Sequence, residues 1–272
     1  RGMSSAASDV YKRQEILTYP SYFNQIINFT FPHIGVVGAN FEDYESDRIY
    51  ASGCIINNPV SVASNFRSKM DFEKWLKLNK KVCVSNIDTR ALTKRIRNLG
   101  ACKALIHFPK NAYFENMTNL KTKLMKFPSM KNLDLASEIS TSYKYKWFNQ
   151  KKLRSFKINK SFIAVIDFGI KKNILNILSS SKYDVVVFPY NFSIEEIIKM
   201  KPSGLFLSNG PGDPLATFKK NKENLCSIKK FYKPIFGICL GHQILALIYN
   251  AKTEKMHHGH RGANHPIKNV KT

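Results

Sequence analysis

The second half of the chain alternates short apolar runs with stretches whose apolar residues recur every three or four positions. The runs FIAVI, DVVVF and GLFL are bounded by turn residues, and KKNILNIL and SIEEIIKM between them have helical spacing. Short apolar runs of this kind are typical of buried strands, and the longer spacing is typical of amphipathic helices. Strands alternating with helices predict an α/β fold with a mostly parallel sheet flanked by helices.

The first half predicts a smaller α/β domain. Its expected strands are four apolar stretches, at 25–31, SGCIINN (52–58), VCV (82–84) and ALIHF (104–108). One helix is expected after an Asp71 cap, with inward-facing Phe72, Trp75, Leu76 and Leu78. A second is expected after Asp88 or Thr89, ending at Gly100.

Composition shifts divide the chain. Residues 1–14, RGMSSAASDVYKRQ, have no apolar core of a secretory signal and differ in character from the stretch after them, so we expect a non-native leader. We then expect an incomplete N-terminal domain at 15–142, with a short helix in 132–141. A connection at 143–160 leads to a second domain at 161–272.

The stretch 233–249, KPIFGICLGHQILALIY, carries the strongest chemical signal. An apolar run meets Gly237, Cys239 and Gly241, and then a helical pattern begins. A strand, a tight turn and a helix with the reactive residue at the turn form a nucleophile elbow, here with cysteine. The helix N-terminus favours the thiolate. The alternative is that Cys239 is a buried small apolar residue, as most free cysteines are.

A second motif, SNGPGDP at 208–214, follows the apolar run GLFL. A strand ending in a Gly-Pro-Gly loop exposes backbone N–H groups that can face an oxyanion. By itself the motif could be an ordinary turn. With GICLGHQ about thirty residues later, it resembles the class I (triad type) glutamine amidotransferases.

That resemblance implies site residues. Cys239 would attack the side-chain amide of glutamine, and the N–H of Leu240 with one from the loop Gly210 to Gly212 would hold the oxyanion. Gln243 matches the family's substrate-binding glutamine. Ser21 matches a substrate-contacting serine from the other domain, and Tyr19 stands where the family usually has Asp.

Motifs in the N-terminal half narrow the choice among the amidotransferase families. EILT, PSY, PHIG, ASNFR and IDTR resemble the N-terminal domain of carbamoyl-phosphate synthase small subunits. That family usually has about forty further residues before this point and takes the His and Glu of its triad from a downstream His-x-Glu or His-Pro-Glu segment. We therefore expect a fragment, truncated at both ends, that binds glutamine poorly and turns it over little or not at all.

Other polar residues give weaker signals. His242 lies in the predicted helix and should point along it rather than act as the base. His257, His258, His260 and His265 lie in a segment that the family uses structurally, and without an acidic or cysteine partner they predict no metal site. Asp167, at a strand end, is expected to cap the next helix.

Composition and charge limit the other functional classes to which the chain could belong. The net charge of +24 suggests nucleic acid, but the lysines are spread along the chain, so a solvated basic surface is preferred. No apolar run reaches the roughly 18 residues that span a bilayer. Five scattered cysteines without CxxC spacing indicate a reducing compartment, so we expect a cytoplasmic protein.

The resemblance implies a glutaminase subunit that passes ammonia to a large synthetase subunit in pyrimidine and arginine synthesis. It implies no cofactor in this subunit, since ATP and bicarbonate are used by the large one. The alternatives are an amidotransferase module of another pathway, such as anthranilate or GMP synthesis, and a catalytically dead basic binding or scaffold protein. The IDTR and PHIG motifs argue against the first alternative.

Overall fold

The computed structural model describes residues 2–6, 12–100, 102–109, 111, 113–180, 182–257 and 269, and for 2–6 the backbone alone. These residues form two β-sheets with helices packed against them. The fold is therefore mixed α/β with mostly parallel sheets, as the apolar pattern predicted.

The first sheet has four strands in the order β1-β2-β3-β4, all parallel. The strands are β1 (Gly2–Ala6), β2 (Gln25–Phe29), β3 (Gly53–Ile55) and β4 (Val82–Val84). Every residue of β2 is buried, which fits a strand covered on both faces. β1 lies within the expected leader, 1–14, and pairs with β2 along its length.

Three helices accompany this sheet: α1 (Arg13–Thr18), α2 (Phe72–Leu78) and α3 (Thr89–Leu99). Asp88 accepts hydrogen bonds from the N–H groups of Arg90 and Ala91, so it is the α3 cap, and the helix ends at Gly100 with a positive φ of 78°. Asp71 precedes α2 without a side-chain capping bond. The local start and stop signals therefore located both helices.

Two expectations for this domain are wrong. Leu78 is 63% exposed, because α2 ends there and only its Phe72, Trp75 and Leu76 face the core. The stretch ALIHF at 104–108 is not a strand. Ala104 and Ile106 instead pack beside Ile26 and Ile96, so their apolar side chains are partly buried although 104–108 is not part of a strand.

The second sheet has six strands in the order β10-β9-β7-β8-β5-β6. They are β5 (Tyr145–Phe148), β6 (Lys151–Leu153), β7 (Phe162–Ile166), β8 (Asp184–Phe188), β9 (Gly204–Leu207) and β10 (Ile235–Gly237). The four strands from β7 onwards are parallel, and β5 and β6 are antiparallel. The expected connection at 143–160 thus supplies two strands of this sheet.

Seven further helices complete the described chain. They are α4 (Met117–Lys126), α5 (Ala136–Ile139), α6 (Lys172–Ser180), α7 (Ile194–Lys199), α8 (Pro214–Lys220), α9 (Lys222–Ser227) and α10 (Leu240–Ile248). Single turns of 3₁₀ helix lie at Pro20–Tyr22 and Ile228–Lys230. Apolar clusters cover both faces of the second sheet, and its strands carry near-continuous apolar sequence for that reason.

The five cysteines all lie in the described part of the chain, and none of them forms a disulfide there. No helix among the described residues has the length and apolar character needed to cross a bilayer.

One buried ion pair fastens the antiparallel strand β5 to its neighbour β8. The Lys146 ammonium lies 2.8 Å from the Asp184 carboxylate, and the two side chains are only 9% and 11% exposed. The ammonium also donates to the Lys157 carbonyl, and the carboxylate accepts the Asn159 N–H. Burial by itself would raise the pKa of Asp184, but these hydrogen bonds outweigh it and hold the pKa below its ordinary value.

We expect Asp184→Asn to destabilise the fold by about 3 kcal/mol at pH 7, because it leaves the Lys146 charge buried without its partner. Since the folded-state pKa is lowered, this stabilisation is present above the unfolded-state pKa of about 4 and is lost as the pH falls through the folded value. Urea unfolding at pH 7 and at decreasing pH measures it. A stability difference between variant and parent that stayed constant down to pH 2 would contradict the assignment.

Candidate active site

The turn between β10 and α10 holds Cys239 in an unusual backbone conformation. Its φ is 53° and its ψ is −112°, a combination that residues with a Cβ rarely adopt. The residue directly precedes α10, and its side chain is exposed. A cysteine forced into this conformation and left accessible has the geometry of a nucleophile elbow, not of a buried apolar residue.

Two glycines make that turn sterically feasible. A Cβ on Gly241 would lie 2.1 Å from the carbonyl oxygen of Leu207, at the end of β9. A Cβ on Gly237 would lie 2.6 Å from the carbonyl carbon of Gly241. Helix α10 therefore approaches the sheet at backbone contact distance, which only glycine permits.

Helix α10 has one buried face. It consists of Leu240, Ile244, Leu247 and Ile248, as the apolar spacing predicted. Cys239 and Gln243 lie on the exposed side, one helical turn apart, and the Gln243 N–H donates to the Cys239 carbonyl at 3.1 Å. Residues four positions apart on a helix are neighbours, so the Gln243 side chain can reach a ligand bound at the sulfur.

The 208–212 loop follows β9 and packs against the start of α10. A Cβ on Gly210 would lie 2.1 Å from the Phe168 carbonyl oxygen and 2.9 Å from Leu240 Cδ2. Gly212 has a φ of 99° and lies against the backbone of Leu133. The structure therefore brings the Gly-Pro-Gly loop to Leu240, directly after the cysteine.

Three N–H groups in this region make no hydrogen bond to any residue that the structure describes. They are those of Leu240, Gly210 and Gly212. A backbone N–H without a protein acceptor has to be satisfied by solvent or a ligand. The loop and the helix start can therefore supply donors to an oxyanion.

Ser21 reaches this region from the first domain. It lies in the 3₁₀ turn Pro20–Tyr22, and its Oγ accepts a hydrogen bond from Asn209 Nδ2 at 3.2 Å. Asn209 is fully buried and also donates to the Gly169 carbonyl at 2.6 Å. The asparagine of the SNGPG motif thus joins the two domains beside the candidate nucleophile.

Tyr19 is also part of this site. Burial raises its pKa to about 12, a hydrogen bond with the Ser21 hydroxyl lowers it, and the charge of a Cys239 thiolate raises it. The Lys171 ammonium lies 5.4 Å from the Tyr19 ring centroid and 3.0 Å from the Glu45 carboxylate. The phenol is therefore protonated at neutral pH and lies within electrostatic range of the sulfur.

Asp167 has a structural role in the turn after β7. Its carboxylate accepts the N–H groups of Gly169, Ile170 and Thr141. Burial raises its pKa, and the three backbone donors only partly offset that effect. The expectation that Asp167 caps the next helix is wrong in detail. Its carboxylate caps the turn at 169–170, which precedes α6, and it binds the backbone of Thr141 to that turn.

The histidines are placed separately. His242 is exposed at the third position of α10, and His257 Nε2 lies 3.2 Å from the Asn98 carbonyl in the first domain. His258, His260 and His265 lie outside the described residues. Within the described ranges, no group of three or more His, Cys, Asp or Glu side chains could hold a metal ion.

Two residues of the site, Asn209 and Lys171, were not predicted from the sequence. Asn209 lies inside a motif that is notable for its glycines, so an asparagine directly after a buried strand was the available signal. Lys171 gave no signal, because it is one of many lysines and only its contacts with Glu45 and Tyr19 distinguish it.

Comparison with protein families gives two matches. Residues 7–106 match the family described as carbamoyl-phosphate synthase small chain, CPSase domain, and residues 164–272 match glutamine amidotransferase class-I. The first match begins inside the expected leader, whose origin stays a prediction.

Individual proteins that are similar over nearly the whole chain indicate the same family. The chain is 44% identical to the carbamoyl phosphate synthase small chain of Bartonella henselae over 271 residues, covering 95% of this chain and 67% of that protein. It is 43% identical to the same-named protein of Zymomonas mobilis over 266 residues, covering 94% of this chain and 70% of that protein. The corresponding protein of Bradyrhizobium diazoefficiens is 41% identical over 273 residues, covering 95% of this chain and 67% of that protein.

We expect Gly241→Ala to destabilise the protein by about 3 kcal/mol, because its Cβ would overlap the Leu207 carbonyl oxygen and force α10 away from the sheet. The sign of this change in stability is informative, because a glycine-to-alanine substitution within a helix ordinarily stabilises the protein by up to about 1 kcal/mol. Urea unfolding measures the stability, and the rate of iodoacetamide alkylation at Cys239 reports the turn.

Gly204→Ala is the matched control, because a Cβ there would meet only the Pro234 carbonyl oxygen, at 3.4 Å. We expect that variant to keep both the stability and the alkylation rate. Equal effects at the two positions would contradict the close contact between α10 and β9.

Proposed function

The chain belongs to the carbamoyl phosphate synthase small-chain family and carries a class I glutamine amidotransferase domain, and on that basis we propose that Cys239 hydrolyses the side-chain amide of glutamine. One observation carries the proposal. The sulfur is exposed at a backbone turn with positive φ, directly before a helix whose Gly241 touches the preceding strand.

In the proposed reaction the Cys239 thiolate attacks the amide carbon of glutamine and forms a tetrahedral oxyanion. The carbon–nitrogen bond then breaks, and the leaving nitrogen takes the proton that the thiol gave up, releasing ammonia. Water adds to the remaining glutamyl thioester, giving glutamate and the free thiol. By resemblance, a histidine held by a glutamate moves these protons.

The start of α10 assists the first step. The partial positive charge at a helix N-terminus stabilises a thiolate there. α10 spans nine residues, and Cys239 occupies its N-cap position, where this field is strongest. The position therefore favours the ionised sulfur that the attack needs.

The proposed oxyanion donors are the N–H of Leu240 and an N–H of the Gly210 to Gly212 loop. Their lack of an acceptor among the described residues supports this role. Loss of one such donor typically lowers the rate of acyl transfer on the order of 10²-fold or more. Backbone groups would therefore supply a substantial part of the rate acceleration in this step.

We propose that Gln243 and Ser21 bind the substrate from opposite domains. Gln243 lies one turn along α10 on the side of Cys239. Ser21 lies on the first domain and is fixed by Asn209. A substrate held between them would place its amide between the sulfur and the backbone donors.

The partner follows from the relatives, which are named as small chains of carbamoyl phosphate synthase. We propose that ammonia passes to a large synthetase chain, where ATP and bicarbonate are used, and that this chain needs no cofactor of its own. Pyrimidine and arginine synthesis are the pathways that this assignment implies. Five cysteines without a disulfide among the described residues support our proposal of a cytoplasmic location for such an enzyme.

An electrophilic diazoketone analogue of glutamine tests the nucleophile. We expect one covalent adduct per chain, on Cys239, because the thiolate displaces nitrogen from the analogue when the amide-binding site holds it. Peptide mapping by mass spectrometry locates the adduct. Cys239→Ser should abolish it, and the control Cys226→Ser should not.

The proposal would be contradicted if the analogue labelled several cysteines equally. It would also be contradicted if only general thiol scavengers, and not glutamine, protected Cys239 from labelling. Glutamine itself should protect Cys239, whereas asparagine should protect it less. A basic scaffold without amidotransferase activity would instead show no adduct and a binding of nucleic acid that falls steeply with salt.

The 272 residues by themselves are expected to release ammonia from glutamine slowly or not at all. The reason is that no His-x-Glu or His-Pro-Glu sequence occurs among them to serve as the base. A coupled assay for ammonia measures this. Turnover near the typical enzyme value of about 10 per second would contradict it.

A further inference from the structure

The side-chain amide of Asn209 binds three segments of the chain together. The side chain is fully buried, and its Oδ1 accepts the backbone N–H of Lys171 at 3.1 Å. Its Nδ2 donates to the backbone carbonyl of Gly169 at 2.6 Å and to Ser21 Oγ at 3.2 Å. A backbone N–H can only donate and a backbone carbonyl can only accept, so the amide cannot be flipped. One amide proton is therefore committed to the second domain, and the other is left for the serine of the first.

The backbone on both sides of this amide is already anchored. Ser208 Oγ accepts the Phe168 N–H at 2.9 Å and donates to the Asn209 carbonyl at 2.8 Å. The next residue, Gly210, begins the loop with the proposed oxyanion donors and touches the Phe168 carbonyl. Ser21 is thus bonded to a donor whose position is fixed relative to that loop.

Other contacts join the two domains independently of this bond. The Glu45 carboxylate accepts the Asn173 N–H at 3.0 Å, and the Asp47 carboxylate lies 2.7 Å from the Lys152 ammonium. Loss of the amide bond to Ser21 would therefore leave the domains joined and free the serine hydroxyl to choose among its staggered rotamers. The bond is suited to orienting Ser21 more than to holding the fold.

We propose that Asn209 is a positioning residue for glutamine binding: its buried amide holds the Ser21 hydroxyl beside the oxyanion loop in the orientation that meets the substrate. This inference rests on the proposed function of the site. A glutamine with its side-chain amide at Cys239 and the loop would reach Ser21 with another polar group. Asn209 sets the separation of these two attachment points, because its side chain holds the serine and its backbone continues into Gly210.

Asn209→Asp removes one hydrogen bond selectively. The new carboxyl group has the shape of the amide, and full burial favours its neutral form. Its single proton goes to the Gly169 carbonyl, which can only accept, and its other oxygen still accepts the Lys171 N–H. No second proton is left to donate to Ser21.

The test is the concentration dependence of labelling by the diazoketone analogue of glutamine, on the full chain. We expect Asn209→Asp to raise the half-saturating analogue concentration roughly 3- to 10-fold, the range of one hydrogen bond of ordinary strength. The limiting rate of labelling and the rate of iodoacetamide alkylation at Cys239 should stay unchanged, because the loop and the turn keep their contacts.

Ser21→Ala completes a double-mutant cycle. If Asn209 acts through Ser21, adding Asn209→Asp to Ser21→Ala causes no further rise in the half-saturating concentration. Asn221→Asp is the matched control, because this buried asparagine donates to the Tyr190 carbonyl and accepts from Asn224 Nδ2, both at 2.8 Å. It should label as the parent does. Thermal unfolding of each variant shows whether the fold is kept.

Four outcomes overturn the inference. They are an unchanged half-saturating concentration in Asn209→Asp, an equal further rise when it is added to Ser21→Ala, a fall in the limiting rate alone, and a variant that does not fold, since Asn209 would then serve the fold and not the substrate. A parent chain that the analogue does not label at all contradicts the proposed function instead, so the two failures are distinguishable.

Discussion

The contact between Gly241 and the Leu207 carbonyl is the constraint on which the rest of the site depends. It places the first turn of α10 directly on the end of β9, so the chain has to reverse within two residues after β10. That reversal forces Cys239 into a strained backbone conformation with a positive φ and a ψ of −112°, which costs about 1–3 kcal/mol. Burial of the four apolar side chains of α10, each worth about 1.5–3 kcal/mol, offsets the strain.

A second constraint is that the site lies where the two domains meet. Glu45 of the first domain accepts the Asn173 N–H through its carboxylate and the Lys172 N–H through its carbonyl, so it caps the start of α6. Ser21 and Asn209 form a further bond across the same boundary. These contacts fix the first domain against the start of α6 and against the 208–212 loop, next to the candidate site.

How well the sequence predicted each element depended on how that element is buried. The strands β7, β8 and β9 are covered on both faces, so their continuous apolar runs identified them. The stretch 104–108 has similar composition but lies beside α3 without strand pairing, and local composition cannot distinguish the two cases. Helices α8 and α9 were not predicted, since their apolar residues are few and interrupted.

The sequence by itself determined the family, the α/β class and the position of the turn that exposes Cys239, because strand, glycine and cysteine signals are local and lie within about ten residues of each other. The tertiary structure alone decided which polar side chains surround that turn. Ser21 and Asn209 are 188 positions apart, and Tyr19 and Lys171 come from different domains. No periodicity or spacing encodes such contacts, since they arise only when the packed sheets bring the end of β9 to the turn after α1.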